Sequence, residues 1–418
     1  MTGYRYLIGI VAVLLFFSGA DAYASYAELA GRYKPIIWIG ILFFLWLPIG
    51  LRFEDGTLRK VPSWLWLWSL AFLVASALWY IPSSQSEIAH RELVIRFEAI
   101  GFLVFTVIIY SNERTLSATR WTVLFTTILT VALNIFEMFD QETFISVVDD
   151  RAVGLYVNPN RCGAALCFGM ALSANLLRGR RRLLYVLWIG LGVVLTFSRS
   201  AIVGWLIVAL FIVGVDHGRA GRTAVPRRVL ALAVPIAALA FLISFAPALF
   251  ESVDLGNRFD DNVRTRVTFF RTFTANDDSA IARRFVARRA WAAFAENPIL
   301  GSGLAVSREF PGEGTHNMFL SMLVDHGILG LPLLPLMLWL PLRRLRDDDR
   351  PMAYAYCAFA FTYALFSHNV YEDRYFLLTY GALVMHVARR SSRSSEAPAR
   401  VEPAPIQASN RLFANQGD

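Results

Sequence analysis

The chain has 418 residues, is 56% hydrophobic with a mean hydropathy of +0.48, and carries a net charge of +8 that is almost wholly arginine. Soluble domains hold fewer apolar residues than this, and here they fall in long runs, so a soluble architecture is excluded and a polytopic membrane protein is expected. Most arginines sit in short loops between the runs, where orientation in a bilayer puts them; this argues against nucleic acid as a partner.

A helix needs about 20 apolar residues to cross a bilayer. Runs near that length fall at 5–20, 34–51, 63–82, 92–110, 120–139, 161–177, 183–198, 200–216, 228–249, 317–342, 352–370 and 374–390. The first lacks a strongly basic leader, so it reads as a retained span, not a signal peptide. The expected fold is an all-α polytopic membrane protein of about twelve transmembrane helices. Spans one to nine occupy 1–249, a long, partly helical outer loop 250–316, and spans ten to twelve 317–390. A tail at 391–418, rich in Ser, Pro, Ala and Gln, is expected to be disordered.

Loop charge alternates with each crossing. The segments at 178–182, 343–350 and 389–393 are cationic, whereas those at 137–150 and 372–373 are acidic. The positive-inside rule then puts both termini in the cytoplasm. Two outer segments depart from this alternation: the lone Arg199 in a very short turn, and the arginine-rich loop 250–316. The spans themselves read as clean, with charge collected at their ends. Cys162, Cys167 and Cys357 lie in apolar runs without metal-ligand spacing and read as small buried apolar groups.

The stretch from Ile281 to Gly330 gathers the most chemistry. It opens basic and helical, stops at Asn297-Pro298, passes a flexible Gly-Ser-Gly turn, and reaches His316-Asn317 where a new apolar helix begins. That pair fits either helix capping or proton transfer from a hydroxyl, at a helix N-terminus that favours anions. His326, further along, reads as structural. Arg199 between two serines offers a guanidinium fork for a phosphate. Arg283, Arg284, Arg288 and Arg289 spread around a helical wheel, so one or two can face a site while the others meet anionic lipid or solvent. Asn158-Pro159-Asn160 is a helix-start signal on the same outer side, as are the polar groups at 367–369 and 371–374. Asp277-Asp278 lacks further carboxylates, and no metal site is expected.

Several of these motifs resemble one family. They are Gly154-Leu155-Tyr156-Val157-Asn158-Pro159-Asn160, Thr196-Phe197-Ser198-Arg199, Arg283 leading to Asn297-Pro298-Ile299-Leu300-Gly301-Ser302-Gly303, and His316-Asn317 running to Gly327-Ile328-Leu329-Gly330. Together they resemble the O-antigen ligase and polymerase superfamily of bacterial envelope proteins, over Gly154 to Gly330. The resemblance implies a GT-C-like glycosyltransferase of the inner membrane that needs no metal or other cofactor and works at the periplasmic side. Its donor is a glycan on undecaprenyl pyrophosphate. In the ligases the acceptor is a sugar hydroxyl of the lipid A–core oligosaccharide. By the same resemblance the catalytic set is Arg199, Arg283 and His316. Arg284 and Arg288 compete for the loop-arginine role, because this chain has arginine doublets there and Ala287 where an aromatic is expected. Asn158, Asn160 and Asn317 are candidates for contact with the pyrophosphate or glycan. A polymerase with the same donor is the near alternative, and a protein O-glycosyltransferase a third. A transporter of lipid-linked glycan is the reading from a different class, disfavoured by the clean spans. Nothing in the sequence fixes the oligomeric state.

Overall fold

The structure is a computed structural model that describes residues 2–27, 35–50, 60–140, 143–147, 151–214, 278–310 and 314–395. The predicted ninth span at 228–249, the outer loop up to residue 277, and the tail from residue 396 lie outside the described residues. Among the described residues every regular element is a helix. They are α1 (Thr2–Ala12, extended by a π-turn at Val13–Phe17), α2 (Ala20–Tyr26), α3 (Pro35–Gly50), α4 (Ser63–Tyr80), α5 (Glu87–Tyr110), α6 (Glu113–Glu137) and α7 (Pro159–Ser173). They continue with α8 (Gly179–Leu195), α9 (Arg199–Gly214), α10 (Asp278–Glu296), α11 (Met318–His326), α12 (Leu333–Trp339), α13 (Arg350–Ala364) and α14 (Arg374–Ser395).

Each predicted run in the described residues coincides with a helix or a broken helix, but not all are long enough to span. Three helices, α4, α5 and α6, are long and apolar enough to cross a membrane, or five spans if each of two bent pairs counts as one. The helices α7, α8 and α9 have 15, 17 and 16 residues, short of the roughly 20 that a straight crossing takes. The outward faces carry a belt of large apolar side chains, among them Phe44, Leu67, Leu70, Phe125 and Leu184, as a lipid-facing surface requires. Between the helices lies one aromatic-rich core. Phe168 of α7 packs on Phe359 and Phe376 with ring centroids 4.6 and 5.2 Å apart.

The predicted span at 317–342 is broken. It is not one rod: the segment Met318–Gly330 meets Leu333–Arg343 at 86°. The break has a backbone cause. Gly327 adopts φ +63°, and a Cβ there would lie 2.3 Å from the carbonyl oxygen of Ile299. The Asn297–Gly303 turn docks on this break main chain to main chain: Ile328 N–H donates to Pro298 O (2.9 Å), Ser302 N–H to Val324 O (2.8 Å) and Gly303 N–H to Asp325 O (3.1 Å). A Cβ on Gly301 would lie 2.4 Å from Gly327 N. These glycines therefore serve close backbone approach, and the turn read as flexible from sequence is locked.

A second correction concerns charge. The spans are not clean, because Glu92 and Arg96 of α5 are both buried, Arg96 with only 3% of its surface exposed. Arg96 Nε pairs with Glu92 (2.9 Å), and its Nη1 lies 3.0 Å from His326 Nε2 on α11. At the other end of the bundle buried Arg120 donates to Leu172 O and Asn175 Oδ1 and meets His386, which in turn contacts Asp349 at 3.0 Å. Buried ions are tolerated only when paired or fully hydrogen-bonded: Arg96 has its carboxylate in Glu92, and Arg120 is held by neutral acceptors. His326 is thus structural, as the sequence implied. The three cysteines are buried and free.

Substituting Gly327→Ala should destabilise the protein by about 2 kcal/mol or more, since the added methyl meets main chain that cannot move aside. A thermal unfolding scan of the detergent-purified variant checks this; an unchanged midpoint would mean the turn can separate from α11.

Candidate functional site

The helix starts of α7 and α11 each depend on a short polar cap, and α9 starts straight after the Thr196–Ser198 turn. Asn158 caps α7, its side-chain oxygen accepting from Asn160 N–H (2.9 Å), with Pro159 at the first helical position. Asn317 caps α11, accepting from Leu320 N–H (3.0 Å). The side-chain oxygens of two candidate binding residues are therefore engaged in capping. Each of the three starts also has a non-glycine residue in the left-handed region: Val157 at φ +63°, Phe197 at +47° and His316 at +50°. L-residues adopt that region reluctantly, β-branched valine most of all, so this end of the bundle stores backbone strain.

The first turns of α7 and α9 touch. A Cβ on Gly163 would lie 2.5 Å from Ala201 Cβ and 3.2 Å from Thr196 Oγ1. Buried Arg151 ties them further, donating from Nε to Thr196 O (2.9 Å) and from Nη2 to Asn160 Oδ1 (3.3 Å). Thr196 Oγ1 accepts from Ser198 N–H (3.3 Å), which shapes the turn presenting Arg199. Arg151 is itself positioned by the segment that follows it, whose Val153 and Gly154 N–H groups both donate to Glu137 at 2.9 Å.

Arg161, one residue after Asn160, pairs through Nε with Asp373 Oδ1 (3.3 Å) and keeps 38% of its side chain exposed. Asp373 Oδ2 also accepts from the Tyr363 (2.7 Å) and Tyr375 (2.9 Å) hydroxyls. Arg308 pins the same loop, residues 365–373, from the other side. It pairs with Glu372, donates to Asn369 Oδ1 (3.4 Å), and contacts Glu92 Oε2 through Nε at 2.8 Å. Between these two arginines lies His368, in the loop beyond the end of α13. Its ring centroid is 5.4 Å from that of His316, with the planes at 71°. Burial, then the charges of Arg308, His316 and Arg161, hold His368 down to about 3.

The loop arginines separate by face. Arg283 is half-buried on the side that buries Val286 and Ala290, whereas Arg284 and Arg288 point outward. Arg289 sits over the Phe310 ring, 5.3 Å from its centroid. Helix α10 packs along α11. The contacts thus link the Arg199 turn, by way of Arg151, Asn160 and Arg161, to His368 and His316. Arg283 belongs to a different element, α10, which packs along α11. Arg161 and Arg308 had no individual role from sequence, and His368 counted only as one of the outer polar groups, 367–369, that could line the same cavity. Their signal was present only as polar residues at helix ends, and no spacing rule joins positions 161, 308 and 368. Among the described residues no group of three or more His, Cys, Asp or Glu side chains gathers as a metal site would.

Residues 183–335 match the family model described as O-Antigen ligase. Over these residues the chain is similar to an O-antigen ligase family domain. The domain runs from α8 to the beginning of α12, so it contains Arg199, Arg283, Arg308, His316 and Asn317, while Asn158, Asn160, Arg161 and His368 come from outside it. No curated protein matches the chain.

An ordinary histidine is mostly imidazolium at pH 5. His368 should still be a neutral ring there, because its depressed value keeps the proton off until far lower pH. Nitrogen-15 NMR of histidine-labelled protein checks this; an imidazolium signature for His368 at pH 5 would show that burial and the surrounding cations do not hold the proton off.

Proposed function

We propose that the protein is an O-antigen ligase of the bacterial inner membrane, with about twelve crossings, both termini cytoplasmic, a GT-C-like arrangement and its site on the periplasmic side. The glycan passes from undecaprenyl pyrophosphate to a sugar hydroxyl of lipid A–core oligosaccharide. The observation that supports this reading is the grouping of Arg161, Arg308, His316 and His368 around one loop, beside the region similar to an O-antigen ligase domain.

The chemistry follows from these groups. Arg199 and Arg283 neutralise the diphosphate, whose charge grows as the glycosidic bond breaks. Arg283 is favoured over Arg284 and Arg288 because it alone of the three lies on the packed face of α10. His316 accepts the proton of the acceptor hydroxyl. The hydroxyl oxygen forms the new bond to the anomeric carbon, and the electron pair of the old bond leaves on the pyrophosphate oxygen. One-step attack from the opposite face inverts the anomeric centre. The reaction draws on no metal and no nucleotide.

Purified protein, lipid-linked glycan and core lipid should yield joined product in EDTA, with inverted linkage by NMR. Alanine at Arg199, Arg283 or His316 should each lower the rate on the order of a hundredfold or more. Undiminished turnover by the triple variant would remove the proposed site, and a retained anomer would remove the one-step route. In cells, gene deletion should leave bare core with long lipid-linked chains; core bearing a single repeat would instead indicate a polymerase.

A further inference from the structure

His368 invites a role of its own. Its loop is held rigidly: Glu372 and Asp373 N–H groups donate to Asn369 O (2.9 and 3.1 Å), Asn369 N–H donates to Ser367 Oγ (3.2 Å), and Arg308 and Arg161 grip the loop from two sides. Nothing about that frame requires an imidazole, and the ring is poorly served by it. Its Nδ1 is buried with no hydrogen-bond partner among the described residues. A buried polar atom left in that state is costly, which marks a group kept for something besides folding. The other nitrogen looks toward Gly314: a Cβ built there would begin 3.2 Å from Nε2. Gly314 adopts φ +83°, so the conformation also disfavours any larger residue. The space beside Nε2 is therefore kept clear of side chain on the flank nearest His316.

We infer that His368 is a second substrate-contacting imidazole of this site, whose Nε2 hydrogen-bonds a hydroxyl of the acceptor sugar while His316 takes the proton. This rests on the glycosyl-transfer reading above. The division of labour follows from the surroundings. Arg161 from α7, Arg308 from the preceding loop and His316 oppose a proton on His368, while Glu92 on α5 and Glu372 and Asp373 are engaged by those arginines. A ring whose protonated form is disfavoured is a weak base, a poor choice for proton acceptor, and it does not compete with guanidiniums for a diphosphate. A neutral imidazole does offer one donor and one acceptor, and with Nδ1 unpartnered no neighbour among the described residues fixes which nitrogen carries the hydrogen. It can therefore match either sense of a sugar hydroxyl.

The test uses the full chain in detergent with lipid A–core oligosaccharide and undecaprenyl-pyrophosphate-linked glycan. In His368→Ala the acceptor KM should rise about tenfold, the worth of a hydrogen bond, with the donor KM within about twofold of wild type. His368→Gln, whose amide reaches the Nε2 position, should recover most of the loss. An unchanged acceptor KM, a raised donor KM, or equal loss in both variants would overturn the assignment. A binding measurement stands apart from turnover and from the folding of the alanine variant. The His368 nitrogen-15 signals of the wild-type protein, assigned by their loss in His368→Gln, should shift when core oligosaccharide lipid is added alone and not when undecaprenyl pyrophosphate is added alone. No shift with the core lipid overturns the inference. If the wild type joins no glycan to core, the functional reading fails, and the shift still decides the role of His368.

Discussion

Arg96 is the constraint from which the site end of the bundle is built. A guanidinium with almost no exposed surface, inside an apolar helix, persists only with partners on every side. Glu92 supplies one from the same helix, and His326 a second from α11. Asp325 Oδ2 lies 3.7 Å away, and its other oxygen accepts from Ser307 N–H at 2.8 Å. Glu92 then reaches on to Arg308, and Arg308 to Glu372. A chain of alternating charge thus runs from the interior of α5 to the loop that carries His368. Each member is placed because the one before it had to be neutralised.

The main chain repeats the theme without charge. The Asn297–Gly303 turn and the α11 break interlock at contact distances only glycine allows, and the same turn reaches α4 through Leu304 N–H to Trp79 O at 2.8 Å. With α11 held at its far end by this joint, its near end presents His316 in a left-handed conformation. The same conformation recurs at Val157 and Phe197, beside the segments of Asn158 and Arg199. Strain on three separate segments, all leading into helix starts, is what a site maintained against local preference looks like.

Much of this was legible beforehand, and the reasons are local. Asn158 and Asn317 were recognisable as helix starts because Asx side chains satisfy free N–H groups wherever an apolar run follows. Arg199 stood out as a cation in a short turn between two apolar runs. The break at Gly327 was not legible, since a glycine inside an apolar run reads equally as a tolerated residue or a corner. The Gly301–Gly303 turn was misread for the same reason: composition shows that glycine permits freedom, and only the partner backbone shows that it is being used for proximity. Nor did the arginine doublets reveal which member faces inward; that needed the packed face of α10.

What the sequence determined alone was set by one-dimensional physics. Long apolar runs against the thickness of a bilayer made this an all-helical membrane protein, and capping residues marked where its helices begin. The tertiary structure decided everything that depends on which distant residues become neighbours. Arg161 found Asp373, Arg308 found Glu92 and Glu372, and His316 found His368, across separations of about 50 to 220 positions. Pairing of buried charge is a long-range condition, met only after the helices have packed, and no local pattern encodes it.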